Sequence, residues 1–138
     1  MKKIILGLIA LLFVSILFIS CGKDDPGPSG VLVTKPDGIW LGTAQYGTTP
    51  GGTTYDFKVT FKADSSLTII GDNTTGIDNA TGTWKMVQDS VQATYKYASS
   101  SAIYMFSAKF ATNATVMNGT IGLQPAVSGV GLFSIIKQ

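Results

Sequence analysis

The 138-residue chain contains no histidine, and its ten basic and eight acidic side chains are all lysines and aspartates. Catalytic triads with an imidazole base and zinc sites ligated by histidine are therefore excluded. So few groups remain for general acid–base chemistry that we predict a protein that is not an enzyme. The lysines form no cluster of the kind that neutralises phosphates, so we predict no nucleic-acid partner.

The first twenty residues have the three parts of a secretory signal peptide. A cationic MKK is followed by 16 almost wholly apolar residues at positions 4–19 and by the small Ser20. A membrane-spanning helix needs about 20 apolar residues, so this run is short for an uncleaved anchor. We predict a signal peptide at residues 1–20.

The only cysteine of the chain, Cys21, directly follows this segment. The stretch 18–21, FISC, resembles a bacterial lipobox, although Phe18 stands where that motif usually has leucine. The resemblance implies that Cys21 carries covalent diacylglycerol and acyl lipid such as palmitate, which would anchor the protein to a membrane. A lone buried cysteine is the alternative, but the polar residues that follow offer nothing to bury it.

A short charged motif follows the cysteine. Lys23, Asp24 and Asp25 are similar to the export signal that sends lipoproteins of the Bacteroidetes to the outer face of the outer membrane. The alternative is a solvated charged tether. We expect a lipid anchor in the outer membrane with the domain on the cell surface, or otherwise facing the periplasm.

Residues 21–37 are predicted to be the lipidated cysteine and a flexible linker. Positions 22–37 hold three prolines and three glycines among few large apolar residues, a composition typical of tethers. Residues 38–138 then form one domain, a common size for a single hydrophobic core.

This domain alternates apolar and polar residues with a period of two. Tyr55, Phe57, Val59 and Phe61, for example, share one face of a predicted half-buried strand. Short turn-like segments separate about eight such strands, which we place at 39–46, 53–62, 67–71, 81–87, 90–98, 102–110, 115–122 and 129–137. Eight strands with hairpin connections can close into an antiparallel barrel. An open sandwich stays possible, because alternation alone does not distinguish the two.

The start of the first predicted strand, Gly38-Ile39-Trp40, resembles the Gly-x-Trp signature of the calycin barrels, the lipocalins and their relatives. In that family the tryptophan closes the barrel floor and a basic residue of the last strand lies across it. Lys137 matches that position, where the family usually has arginine. The resemblance implies a monomeric, lipocalin-like up-and-down barrel, like those of small lipoproteins of the Bacteroidetes.

The inward-facing aromatic residues are the candidates for a ligand-binding site. They are Tyr55, Phe57, Phe61, Trp84, Tyr95, Tyr97, Tyr104 and Phe106. In a small barrel such residues either line a cavity for one small apolar ligand or fill the interior completely. Dense packing favours filling. Our leading expectation is a non-catalytic protein that binds a small apolar ligand in the barrel mouth, or a glycan or a surface protein at the loops. A structural or assembly-accessory lipoprotein with a filled barrel is the alternative.

The stretch 71–82, GDNTTGIDNATG, is predicted to be mostly a connecting loop. Its near-duplicated Asp72-Asn73 and Asp78-Asn79 pairs offer oxygen ligands that suit calcium. The same residue types are also what turns require, and the EF-hand spacing is absent. Calcium is therefore a secondary hypothesis beside the simpler interpretation as turns.

Overall fold

A computed structural model of the protein describes the backbone of residues 34–73 and 76–138. The predicted signal peptide, the lipidated Cys21, the export signal at Lys23, Asp24 and Asp25, and most of the linker lie outside the described residues. Within the described ranges the chain is all β, and no helix is present that could cross a membrane.

Eight strands form one closed barrel in which each strand pairs antiparallel with its neighbours in the sequence. The last strand pairs with the first and closes the sheet. The strands are β1 (Gly38–Tyr46), β2 (Thr54–Phe61), β3 (Ser66–Asn73), β4 (Gly76–Val87), β5 (Ser90–Tyr97), β6 (Tyr104–Lys109), β7 (Val116–Leu123) and β8 (Gly131–Lys137). The predicted up-and-down barrel is confirmed, and the sandwich alternative is wrong.

The alternation of side chains accounts for the core. On β5, Val91, Ala93 and Tyr95 are buried, whereas Lys96 is exposed on the outer face. The inward residues of the eight strands form one apolar cluster, and no polar or charged residue is fully buried among the described residues. Burying a large apolar side chain contributes about 1.5 to 3 kcal/mol, so this shared inward face is the main source of stability.

The hairpin between β3 and β4 corrects the sequence-based assignment of residues 72–80 to a loop. Here β3 continues to Asn73 and β4 begins at Gly76, with ladder pairs along the whole hairpin. Ala80 pairs with Ile69 on one side and with Tyr97 on the other. Cross-strand pairing therefore holds this segment in strand conformation, although its Asp, Asn, Thr and Gly residues do not show the alternation of apolar and polar residues that is typical of a strand.

The two ends of the barrel differ in which connections they carry. One end, here called the floor, has the entry of the chain at 34–37, the connections 62–65, 88–89 and 110–115, and the end of β8. The opposite end, here called the mouth, has the connections 47–53, 98–103 and 124–130, together with the end of β3 and the start of β4. The described chain thus enters at the floor.

Candidate ligand-binding site

The floor is closed by the Gly-x-Trp residues and the last strand. Trp40 is completely buried, and its indole Nε1 donates a hydrogen bond of 2.7 Å to the carbonyl of Pro36. Lys137 lies opposite Trp40 in the β1–β8 ladder, with its Nζ 5.8 Å from the centre of the Trp40 ring. Gly38 has a φ of +116°, a backbone conformation that residues with a side chain rarely adopt. These residues seal the end at which the chain enters.

The middle and floor of the interior are filled by aromatic rings. Phe106 packs 5.1 Å from Phe133 and 6.1 Å from Phe61, measured between ring centres. Trp84 stands edge-on to Phe61 and donates a 3.0 Å hydrogen bond from Nε1 to the carbonyl of Lys62 at the floor. Five of the predicted ligand-lining residues are buried core: Phe57, Phe61, Trp84, Tyr95 and Phe106. Of these five, only Tyr95 also lines the cavity described next.

The mouth holds a cavity of about 170 Å³. All five tyrosines of the chain line it, namely Tyr46, Tyr55, Tyr95, Tyr97 and Tyr104. Its other polar lining side chains are Gln45, Asp78, Ser99 and Ser100. The tyrosines of the predicted ligand set thus gather at the mouth, and its phenylalanines and tryptophan do not.

Register explains why the tyrosines converge. Tyr95 and Tyr97 are two apart on β5, so both point inward. Tyr104 on β6 pairs directly with Tyr95, and Tyr55 on β2 pairs with the inward Ala44 of β1. These four tyrosines face inward near the mouth ends of their strands, so closure of the barrel brings them to the same space.

Two glycines leave room between these rings. Gly71 on β3 and Gly131 on β8 occupy buried positions that line the cavity without a side chain. A Cβ on Gly71 would lie 3.4 Å from the hydroxyl of Tyr97 and 3.6 Å from Cε2 of Tyr55. The cavity therefore exists partly because β3 presents glycine where its other inward residues are large.

Burial keeps three of the tyrosine hydroxyls, those of Tyr55, Tyr95 and Tyr97, neutral at physiological pH by raising their pKa values. Burial raises the pKa of Tyr55 to about 12, and a side-chain hydrogen bond with Tyr97 partly opposes that rise. Burial also raises the pKa of Tyr95 and of Tyr97 well above the ordinary value, and the nearby Asp78 carboxylate adds to the rise at Tyr97. Phenols in this state donate hydrogen bonds and offer ring faces, but they do not act as bases.

Of the four predicted calcium ligands, the structure describes the side chains of Asp78 and Asn79, and these two do not converge. Asp78 faces inward, lines the mouth cavity and accepts a hydrogen bond from the Ser99 hydroxyl. Asn79 is the next residue of β4 and is exposed. Asp72 and Asn73 end β3 at the same hairpin. Among the side chains that the structure describes, no group of three metal-ligating residues occurs. A calcium site here stays a prediction, which calorimetric titration with calcium chloride tests.

Several cavity residues were missed by sequence reasoning. Tyr46 is the last residue of β1, and its parity with Trp40 and Ala44 is the signal that could have identified it. Asp78 was considered only as a calcium ligand, because its segment was assigned to a loop. Ser99 and Ser100 belong to a turn whose position over the mouth follows only from the closure of the barrel.

Comparison with known proteins adds no family assignment. No protein-family model matches the chain, and no curated protein matches it. The class that the structure itself defines is a small closed antiparallel barrel with a filled interior, a sealed floor and a tyrosine-lined cavity at the mouth.

Proposed function

We propose that this protein is a membrane-anchored, non-catalytic binding protein whose barrel mouth takes a small ligand. The observation that carries the proposal is the convergence of every tyrosine of the chain, with Asp78, on one cavity. Binding sites for small molecules are typically concave and largely aromatic, with a few polar groups that fix orientation. The mouth has this composition.

The position of the mouth supports anchored display. The described chain enters the barrel at the floor, and the lipid-bearing Cys21 and its linker would attach there. The linker would therefore join the barrel at the end opposite the cavity. This arrangement suits a protein that samples small molecules outside the membrane.

The volume of the cavity limits the size of the ligand. Pockets for drug-sized ligands span about 300 to 1,000 Å³, whereas the mouth offers about 170 Å³. A buried cavity of about 150 Å³ accommodates one benzene molecule. The mouth therefore suits a compact ligand of that size, and a long acyl chain exceeds its volume.

The closed barrel and its floor also support a place among the lipocalin-like lipoproteins of the Bacteroidetes. Trp40 seals the floor and Lys137 lies across it, which is the arrangement that the Gly-x-Trp resemblance implies. Together with the lipobox-like segment and the motif at 23–25, this arrangement favours an anchor in the outer membrane and exposure on the cell surface.

Ligand binding at the mouth is tested by filling the cavity from β3. Saturation-transfer NMR would be recorded with phenol, choline and methyl glucoside. We expect at least one of them to bind the wild type and to lose binding in Gly71→Val, whose methyl groups enter the cavity. Thr68→Val, two positions before Ile70 on the outer face of β3, is the matched control and should bind like wild type. Equal binding by Gly71→Val would contradict a site at the mouth.

Anchoring and display have separate tests. Cys21→Ala should abolish metabolic labelling with palmitate, because no other thiol exists in the chain. Protease treatment of intact cells should remove the domain, and substituting Lys23, Asp24 and Asp25 with alanine should protect it. Palmitate incorporation into Cys21→Ala would contradict the anchor. Protection of the wild-type domain would place it on the periplasmic side.

The competing function is a structural or assembly-accessory lipoprotein without a small-molecule ligand. The filled interior favours it, since Phe57, Phe61 and Phe106 are at most 2% exposed. The NMR titrations separate the two functions. The competing function predicts that none of the three probes binds the wild type.

A further inference from the structure

We propose that the mouth cavity binds a small organic ammonium ion, held against the tyrosine rings and the carboxylate of Asp78. This inference rests on the proposed function, because it names the chemical class of ligand for the same cavity. Three features of the cavity carry it: the angles between its walls, its charge and its size.

The rings of the lining tyrosines have different orientations. Tyr95 and Tyr104 stack with an interplanar angle of 21° and a centre-to-centre distance of 5.7 Å. Tyr97 stands nearly perpendicular to both, at 81° and 78°, with its centre 5.6 Å from each. Tyr46 and Tyr55 pack against each other at 5.0 Å and line the same cavity. Rings at these distances are in contact with one another, so a ligand would lie against this cluster and meet rings of different orientation.

An aromatic lining favours a cation. The face of a tyrosine ring carries partial negative charge, and a cation within about 6 Å of the ring centre is attracted to it. Cages of several aromatic rings are the arrangement that recognises quaternary ammonium groups. Burial raises the pKa of Tyr55, Tyr95 and Tyr97, so these rings carry no negative charge at neutral pH other than the partial charge of their faces.

The charge of the lining points the same way. Among the residues that the structure describes, Asp78 is the only charged one that lines the cavity, and no described lysine does so. Lys96, beside Tyr97 on β5, is exposed on the outer face. An anionic ligand would meet negative ring faces and a carboxylate with no counter-charge in the lining. A cationic ligand gains from both.

The volume sets the size of the cation. A cavity of about 170 Å³ matches a trimethylammonium group with a short substituent, since the bulk of such a group is about that of benzene. Asp78 and the Ser99 hydroxyl, which share a hydrogen bond, lie at the polar edge where a short substituent could be recognised.

The test compares two molecules of the same shape and different charge. Full-length protein, purified in a non-ionic detergent, would be titrated calorimetrically with choline and with 3,3-dimethyl-1-butanol, in which carbon replaces the nitrogen. We expect choline to bind about tenfold more tightly, in line with cation–π attraction in a partly desolvated site. Methyl glucoside, an uncharged sugar derivative, is titrated as the third compound.

Matched variants assign the charge and the rings. Asp78→Asn should weaken choline binding about tenfold, whereas Asp56→Asn, an exposed aspartate on the outer face of β2 near the same end, should leave it unchanged. Tyr97→Phe keeps the ring and should retain choline binding, and Tyr97→Leu should lose it. Circular dichroism verifies the fold of each variant, and Asp78→Asn decides the question if Tyr97→Leu does not fold.

Different failures have different meanings. If 3,3-dimethyl-1-butanol or methyl glucoside binds as tightly as choline, or if Asp78→Asn binds choline normally, the ammonium assignment is overturned while the mouth remains a ligand site. If choline, 3,3-dimethyl-1-butanol and methyl glucoside all fail to bind the wild type, the ammonium assignment is overturned and the proposed ligand-binding function is weakened with it.

Discussion

The floor and the mouth of this barrel are built from different aromatic residues. The floor and the middle hold both tryptophans and most of the buried phenylalanines, and Trp40 and Phe106 have no exposed surface. The mouth holds the tyrosines, and the outermost of them, Tyr46, is 52% exposed. Rings without hydroxyls pack against one another, whereas phenols combine an apolar body with a polar tip that tolerates water.

This difference separates a filled region that stabilises the fold from a cavity within one continuous interior. Filled space maximises contact between atoms and stabilises the fold. Unfilled space loses those contacts, so a cavity lowers stability and is expected where a ligand replaces the missing atoms. The floor is therefore predicted to dominate the free energy of unfolding, and the mouth to be the part that can change at little cost.

The largest expected effect comes from removing a core ring. Phe106→Ala should lower the free energy of unfolding by about 3 to 5 kcal/mol, because it deletes a fully buried side chain and leaves a cavity. Tyr46→Ala at the mouth should cost about 1 kcal/mol or less, since much of that ring is already exposed. Urea denaturation measures both. Equal losses would end the distinction between the two ends.

A pair of glycine substitutions gives a smaller but sharper comparison. A Cβ on Gly82 would lie 2.0 Å from the carbonyl oxygen of Thr94, so Gly82→Ala must displace backbone and should cost about 1 to 3 kcal/mol. Gly71→Ala meets only ordinary or slightly tight contacts in the mouth cavity. Its stability should stay within about 1 kcal/mol of wild type. Thermal and urea denaturation of the two variants would show whether the Gly71 position in the mouth cavity is the more permissive of the two.

Alkaline pH should weaken the protein through its buried phenols. Tyr95 keeps its proton in the folded protein because burial raises its pKa, whereas in the unfolded chain it loses the proton above about pH 10. Stability that is complete below pH 10 is therefore lost as pH rises beyond it. Tyr95→Phe should reduce this slope by about 1.4 kcal/mol per pH unit.

The alkaline experiment is a urea titration at several pH values between 9 and about 11.5. All other ionisable groups are common to wild type and Tyr95→Phe, so their contributions cancel in the comparison. Tyrosinate absorbance, recorded in parallel, should show Tyr95 ionising only with unfolding. Identical pH slopes for the two proteins would be inconsistent with a buried, protonated Tyr95.

The smallest expected effect concerns the closure of the floor. Lys137→Met keeps the length of the side chain but removes the charge from the face of Trp40, and should cost about 0.5 to 1 kcal/mol. Lys85→Met, at an exposed position on β4, is the control and should be nearly neutral. Lys137→Arg should preserve the contact, since guanidinium also stacks on aromatic rings. A neutral Lys137→Met would show that the contact does not stabilise the floor.

Alternation along the chain determined most of the fold. Residues two apart must share a face of a strand, so the inward rows of β2, β5 and β6 could be identified without coordinates. Short connections between eight such segments made an antiparallel meander the natural expectation. The polar β3–β4 hairpin escaped this reasoning, because its strands are held by pairing with neighbours and carry little apolar pattern of their own.

Local sequence could not determine how the inward aromatic residues divide between core and cavity. Tyr95 and Phe106 have the same inward parity, and only closure of the barrel places one beside the mouth and the other deep in the interior. The same closure brings Tyr46, Asp78 and Ser99 together from three distant parts of the chain. Periodicity specifies the face of the sheet on which a side chain lies, but enclosed volume arises only when strands far apart in sequence meet around a common axis. The mouth cavity was therefore decided by the tertiary structure alone.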